Sequence, residues 1–254
     1  MTRKRVAILI GVLLATAGCH RPPAPAASPS SYAAIVSAPD RTPDDRALDA
    51  GRKPAELLAF AGIRPGMRVA ELGAGGGYTT ELLARAVGPT GTVYAQNNRL
   101  ILDRFAEKPW NARLTRSAMG NVVRVDREFD DPLPPDARNL DAVVIILIYH
   151  DLFWMGADRG RMNHDVFDHL RPGGLYIIID HSARPGSGSS EVQTLHRIEE
   201  PVVRDEVERA GFTLVRTANF LRNPADTRDW NDSPRSAGER RGTSDRFVLA
   251  FVKP

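Results

Sequence analysis

Two dipeptides carry residue types suited to chemistry, His150-Asp151 and Asp180-His181. Each follows an unbroken apolar run, Asp141 to Ile148 (DAVVIILI) in the first case and Leu175 to Ile179 in the second. Short apolar runs of this kind read as strands buried on both faces, as at the centre of a parallel sheet. The carboxyl ends of parallel strands share one edge, and ligands sit beyond that edge. The two His/Asp pairs are therefore expected to face one crevice. A histidine beside a carboxylate suits proton transfer, because its ordinary pKa of about 6.5 lets it accept a proton at neutral pH. His150 is the expected base, oriented by Asp151 or Asp180, with His181 as its rival and Tyr149 lining the pocket. The same side chains offer nitrogen and oxygen ligands acceptable to zinc or another divalent ion. Neighbours along a strand point to opposite faces, so His150 and Asp151 cannot easily both ligate unless the strand has ended, and no metal is expected.

The elements that must position these pairs begin with Arg68 to Asn97. The apolar run Val69 to Leu72 reads as a strand. It is followed by Gly73-Ala74-Gly75-Gly76-Gly77, then by Tyr78 to Val87, where Leu82, Leu83 and Ala86 recur at helical spacing until Gly88-Pro89 stops them. Thr92 to Ala95 is a second strand. Such a strand–turn–helix–strand unit binds ligands where the first strand gives way to the helix, and glycine there lets a ligand lie against bare backbone. Gly73 and Gly75 fit the dinucleotide spacing G-x-G-x-x-G, but Tyr78 stands at its third place. An Asp or Glu at the end of the second strand ordinarily takes ribose hydroxyls. Here Gln96 and Asn97 stand instead; an amide can still hold a diol, without charge assistance. Both departures disfavour a nicotinamide-dependent oxidoreductase.

Further along, Leu100 to Trp110 is expected to be a helix and Val122 to Val125 a third strand, running into Glu128, Asp130 and Asp131. Asn163 to Leu170 reads as a helix stopped by Arg171-Pro172-Gly173-Gly174, and His196 to Ala210 as another. The glycine- and serine-rich Ala183 to Ser190 is expected to be mobile. Phe212 to Phe220 and Arg246 to Val252 complete the strands. Between them lies the polar connection Leu221 to Asp245, which must begin on the crevice edge. A connection of that length is expected to act as a lid or substrate wall, with Arg222, Asn223, Trp230 and Asn231 as contacts.

The N-terminus reads as an export signal over residues 1–18: a basic start, an apolar run from Val6 to Leu14 too short to span a bilayer, then small residues before Cys19. Cys19 is the only cysteine and is the expected lipidation site, making a lipid anchor the membrane partner and the periplasm the location. Arg3, Lys4 and Arg5 supply the whole formal charge of +3, which leaves 31 basic and 31 acidic residues from Cys19 onward. Nucleic acid is not an expected partner on that balance. Prolines among alanines and serines mark residues 19–40 as an extended tether, with the same character continuing toward residue 50, and the domain occupies 41–254. Arg52 to Ala61 reads as a helix, Pro54 suiting its first turn.

From about Pro54 to Pro254 the chain resembles class I S-adenosylmethionine (SAM) methyltransferases, in particular exported or lipoprotein-type bacterial ones. The segments carrying the resemblance are ELGAGGGYTTELLARAVGPTGTVYAQN, IYHDLFWMG, LRPGGLYIIIDHSARPGSG, RNPADTRDWNDSPR and GTSDRFVLAFVKP. The first and third are general to the superfamily; the others are more particular. The resemblance implies an α/β, Rossmann-like, doubly wound seven-stranded sheet, mostly parallel with an antiparallel last strand, in the order 3-2-1-4-5-7-6. It implies SAM lying over Gly73 to Gly77, with Glu71, Gly73, Ala74, Gly75, Gly77, Gln96 and Asn97 as its contacts. Asp130, with Asp131 and Glu128 behind it, would receive the adenine amino group. The implied activity is methyl transfer to a small-molecule acceptor. SAM is made in the cytoplasm while the N-terminus predicts export, which keeps a second reading open: a non-catalytic envelope ligand-binding protein on the same frame.

Overall fold

A computed structural model describes residues 28–254, so the expected signal, Cys19 and the first part of the expected tether, residues 19–27, lie outside the described residues. The described residues open with a 3-10 turn (Pro29–Tyr32) and three helices, α1 (Ala33–Val36), α2 (Pro43–Arg52) and α3 (Pro54–Ala61). Next come β1 (Arg68–Leu72), α4 (Tyr78–Val87), β2 (Thr92–Asn97), α5 (Arg99–Ile101) and α6 (Glu107–Leu114), then β3 (Val122–Asp126) and β4 (Leu140–Ile146). After them follow α7 (Asp151–Trp154), α8 (Arg159–His169), β5 (Leu170–His181), α9 (Glu200–Arg209), β6 (Thr213–Ala218) and β7 (Arg246–Val252).

The seven strands form one sheet in the order β3-β2-β1-β4-β5-β7-β6. All neighbours from β3 to β5 run parallel, and β7 is antiparallel to both β5 and β6. This is the expected doubly wound fold. Apolar side chains alternate between its two faces. Ala70, Leu72, Val143, Ile145 and Ile178 pack under Trp110 of α6, Met162 of α8 and Val203 of α9. Val69, Val93, Val144 and Ile177 pack on the other face, under Leu58 of α3 and Leu83 of α4.

Three differences from expectation matter for the site. The tether character does not hold over the described part of the N-terminal segment: Tyr32 is buried and its hydroxyl donates to Ile63 O at 2.5 Å. Thr42 caps α2, its side chain accepting from Asp45 N at 3.1 Å, so the prolines here begin helices rather than keep the chain extended. Second, β4 stops at Ile146 because Leu147 takes a left-handed φ of 58°, so the strand has ended before His150. Third, His196 takes a left-handed φ of 54° and residues 197–199 are not helical: Ser182 bridges Ile198, and α9 starts only at Glu200. Smaller shifts also occur. The run expected as one helix from Leu100 is α5 and α6 joined by a π-helical stretch, Leu102–Ala106. The Arg171–Gly174 turn is instead the start of β5, accommodated by a register shift opposite Leu140 and Ala142. Ala183 to Ser190 is pinned, the amides of Gly186 and Gly188 donating to the Glu199 carboxylate at 2.8 and 2.7 Å.

Candidate active site

The glycine turn is braced from the next strand. Gln96 Oε1 accepts from Gly73 N at 3.0 Å, Asn97 Oδ1 from Gly75 N at 2.7 Å, and Gln96 O from Ala74 N at 2.9 Å. Gln96 Nε2 donates to Arg127 O at 2.6 Å and Asn97 Nδ2 to Gly75 O at 3.1 Å. Both amides are fully buried. Their sequence-based role as ribose ligands is thus not what the structure displays: they hold the turn in shape. Asp130 lies apart, in the loop after β3, where its Oδ1 accepts from Asp158 N at 2.8 Å and the side chain stays partly exposed.

Around the turn the space is uneven. A Cβ at Gly77 would fall 2.5 Å from Trp110 and 2.8 Å from Arg113, and one at Gly73 would fall 3.0 Å from Ile148. At Gly75 it would meet nothing within 4 Å, so backbone there is bare toward open space. Close by, Arg52 lies 4.7 Å from the Tyr78 ring centroid and lines a narrow pocket with Thr79, Leu147, Ile179 and Arg246. Its guanidinium makes no hydrogen bond to any described residue. A free cation beside the first turn of α4, where the helix dipole also favours negative charge, suits an anionic group. Glu71, at the end of β1, is buried. Burial outweighs the bond from Thr80 Oγ1 and the nearby Arg52, and pushes its pKa up to about 7.

Ile148 touches the turn, and the histidines follow directly. Asp180 is fully buried at the end of β5; its Oδ1 lies 2.7 Å from His150 Nδ1, and its two oxygens accept from the His150 and His181 amides, each at 2.8 Å. His150 Nε2 lies 3.0 Å from Asp151 Oδ1 and 3.2 Å from His196 Nδ1. Burial opposes charge on His150, but the carboxylates of Asp180 and Asp151 overcome it and push its pKa up to about 10. Asp151 resists burial in turn, held well below the usual carboxylate range by charged His150. His181, 5.6 Å from His150 between ring centroids, behaves oppositely: burial pushes it down despite the carboxylate of Asp232. Its Nδ1 is 2.8 Å from Ser244 Oγ, and Asp232 Oδ2 lies 2.5 Å from the same nitrogen as a neighbouring charge without hydrogen-bond geometry. His181 Nε2 has no partner among the described residues.

The four residues of the two His/Asp pairs do meet. Tyr149 does not join them. It is fully buried on the sheet face that α8 and α9 cover, its hydroxyl donating to Glu206 at 2.8 Å and accepting from Asn163 at 3.0 Å. It is a core residue because α8 and α9 close over it. The connection after β6 does wall the site, though its expected contacts are mostly committed to the protein. Arg222 pairs with Glu200 and Asp245, Asn223 N donates to Asp245 Oδ1 at 2.8 Å, and Asn231 Nδ2 donates to Thr194 O at 2.6 Å. Trp230 stacks on buried Arg197 at 4.7 Å and donates to Asp226 at 2.8 Å. The contribution of this wall missed by sequence is Asp232; the other missed site residues are His196 and Arg52, the latter placed by sequence only at the start of a helix. Asp232 lies in a segment that carries the resemblance but is given no role there, and His196 and Arg52 sit in no patterned motif.

Residues 32–123 match the family model of protein-L-isoaspartate(D-aspartate) O-methyltransferase (PCMT), a span that holds the glycine turn and stops before both His/Asp pairs. A SAM dependent methyltransferase from Aquifex aeolicus superposes with a TM-score of 0.58 at 18% identity, over 89% of this chain and 98% of that one. A SAM-dependent O-methyltransferase from Thermotoga maritima gives 0.51 at 17% identity, over 80% and 64%. The [4+2]-cyclase SpnF gives 0.56 at 14% identity, over 81% of each chain. At these identities the likeness establishes the Rossmann-like methyltransferase fold and leaves the reaction to the site.

Proposed function

We propose that this chain is a SAM-dependent methyltransferase acting on a small-molecule acceptor with histidine assistance. The observation that carries the reading is the adjacency of bare backbone at Gly75, unpaired Arg52 and the histidine cluster on one sheet edge. The match of residues 32–123 to a methyltransferase family supports it. SAM, when bound, supplies the methyl group. The residues that would hold it are the backbone from Gly73 to Gly77 with Ala74, Arg52 for its carboxylate end, Glu71 beside Arg52, and the partly exposed carboxylate of Asp130 for the adenine amino group. Gln96 and Asn97 serve it indirectly, by fixing the turn.

Transfer requires the acceptor to be aligned and its proton removed. A carboxylate and a hydroxyl beside His181 Nδ1 favour the proton on that nitrogen and leave Nε2 as the basic one. Both ring nitrogens of His150 are already engaged, so we assign the base to His181 and a positioning role to His150 with Asp180. Trp230 and Asn231, flanking Asp232, and Arg222 with Asn223 shape the acceptor wall.

Calorimetry of the purified protein is expected to show binding of SAM and S-adenosylhomocysteine and none of NAD; failure of both sulfur compounds to bind at millimolar concentration would end the reading. His181→Ala should bind SAM normally while turnover falls roughly 10²–10⁴-fold, the usual worth of a general base. An acceptor screen should include an isoaspartyl peptide, the acceptor class named by the matched family. Methylation of that peptide alone would overturn the small-molecule assignment. We further propose export to the periplasm and lipid anchoring through Cys19, supported by the N-terminal pattern of charge, apolar run and small residues. Mass spectrometry of the membrane fraction should find the mature chain starting at lipidated Cys19, and an unmodified soluble form would refute this.

A further inference from the structure

We propose that His150 Nε2, His196 Nδ1 and Asp151 form a binding site for one divalent first-row transition-metal ion. The three ligand atoms make a nearly equilateral triangle: His150 Nε2 to Asp151 Oδ1 is 3.0 Å, His196 Nδ1 to Asp151 Oδ1 is 3.0 Å, and the two nitrogens are 3.2 Å apart. Ligands about 2.1 Å from an ion and at right angles to one another stand about 3.0 Å apart, so this triangle has the dimensions of one face of an octahedron.

The arrangement around the triangle is that of a supported site. Asp180 Oδ1 receives the Nδ1 hydrogen of His150 at 2.7 Å, which turns Nε2 toward Asp151 and His196 and raises its basicity as a ligand. Asp180 is itself fixed by two backbone amides. Trp154 Nε1 donates to Asp151 Oδ1 at 2.7 Å, orienting the carboxylate from the same short helix. His196 is held at a φ of 54°, a conformation that costs a non-glycine residue on the order of 1 kcal/mol and persists only where the surroundings impose it. The base and cofactor contacts assigned above make no use of His196.

Access is available. The Asp151 and His196 side chains are 14% and 22% exposed while His150 is 3%, so the triangle is closed behind and open toward solvent. Two imidazoles and one carboxylate suit Zn(II), Fe(II), Co(II) or Mn(II) better than Mg(II) or Ca(II), which take oxygen ligands. Three protein ligands leave further coordination positions on the open side. The site stands on these residues whether or not the chain transfers methyl groups.

Titration of chelator-treated protein with Co(II), followed by visible absorption and calorimetry, tests the proposal without any assay of activity. One ion per chain should bind, with a spectrum showing nitrogen coordination, and Zn(II) should displace it. His196→Asn, which tolerates the left-handed backbone, should weaken binding at least about 10-fold while leaving far-ultraviolet circular dichroism unchanged. Asp151→Asn reads the same ligand set from a second position, and Asp180→Asn should weaken binding roughly 10–100-fold through His150, as outer partners of metal ligands do. No stoichiometric binding at micromolar Co(II), or undiminished binding in both folded His196→Asn and folded Asp151→Asn, would overturn the site.

Discussion

Glu71 shows how a single buried group writes itself into stability. Its pKa is raised from 4.5 to about 7 by burial. Below pH 4.5 the carboxyl is protonated in folded and unfolded chains alike and costs nothing. Between about pH 4.5 and 7 the unfolded chain ionises while the folded one resists, so stability falls as pH rises, by on the order of 3 kcal/mol in all. Chemical denaturation at pH 5 and pH 8 should show a larger loss in the wild type than in Glu71→Gln, which keeps only the loss that raised His150 contributes above pH 6.5; parallel curves would remove the burial effect from the account. The glycines separate in a similar way. Gly75→Ala, at a φ of 55° with open space around it, should cost only about 1 kcal/mol of stability yet weaken SAM binding, because its methyl would occupy the cofactor side. Gly77→Ala must fit against Trp110 and Arg113 at a φ of 81° and should cost about 3 kcal/mol, read as a lower Tm. Residue identities alone foretold the glycine turn and both His/Asp pairs. They could not show that Gln96 and Asn97 face back into the turn, because an amide is equally able to bind a ribose or a backbone. Nor could they single out His196 or Asp232, since a lone polar residue becomes a partner only when another segment is laid beside it.

At the level of elements, periodicity and punctuation made every strand legible, buried parallel strands being continuous apolar runs that glycine and proline bound sharply, while the order of the sheet came from the resemblance to class I methyltransferases. Boundaries were less so. β4 ends two residues early through a left-handed leucine, and nothing about Leu147 in the sequence marks it for that backbone. That early ending lets His150 and Asp151 converge on one point, which a continuing strand would forbid. The N-terminal segment was misread for a different reason. Alanine and proline composition says extended chain, but Tyr32 inserts into the core and Arg41 clasps Asp49 through two bonds of 2.7 Å, tertiary contacts that override composition. A chain beginning at residue 41 should therefore be less stable than one beginning at residue 28 by about 3 kcal/mol, the scale of losing a buried aromatic side chain. Equal denaturation midpoints for the two would restore the tether reading.

For the molecule as a whole, the wall over the site is coupled to the sheet through one carboxylate. Asp226 is buried and accepts from both guanidinium nitrogens of fully buried Arg197, from Trp230 Nε1, and from the amides of Arg228 and Asp245. Burial resists its charge, but these donors hold the carboxyl below its usual range. Arg197 also donates to Ser182 O at 3.0 Å, next to His181, and Asp232 from the same wall supplies the charge beside that histidine. The wall, the end of β5 and the assigned base therefore form one mechanical unit. Asp226→Ala strands a buried guanidinium, which in comparable buried pairs costs 3–5 kcal/mol. It should also free Asp232 to move away from His181. The expected result is a lowered Tm together with loss of turnover, while SAM binding at the glycine turn, to which Asp226 makes no hydrogen bond, stays within a few-fold of wild type. Replacing Arg197 and Asp226 together by apolar residues should recover much of the stability, since no uncompensated charge then remains, without restoring turnover. If the double variant regained both, the wall would be only a cover; recovery of stability alone would show that it holds the base in place.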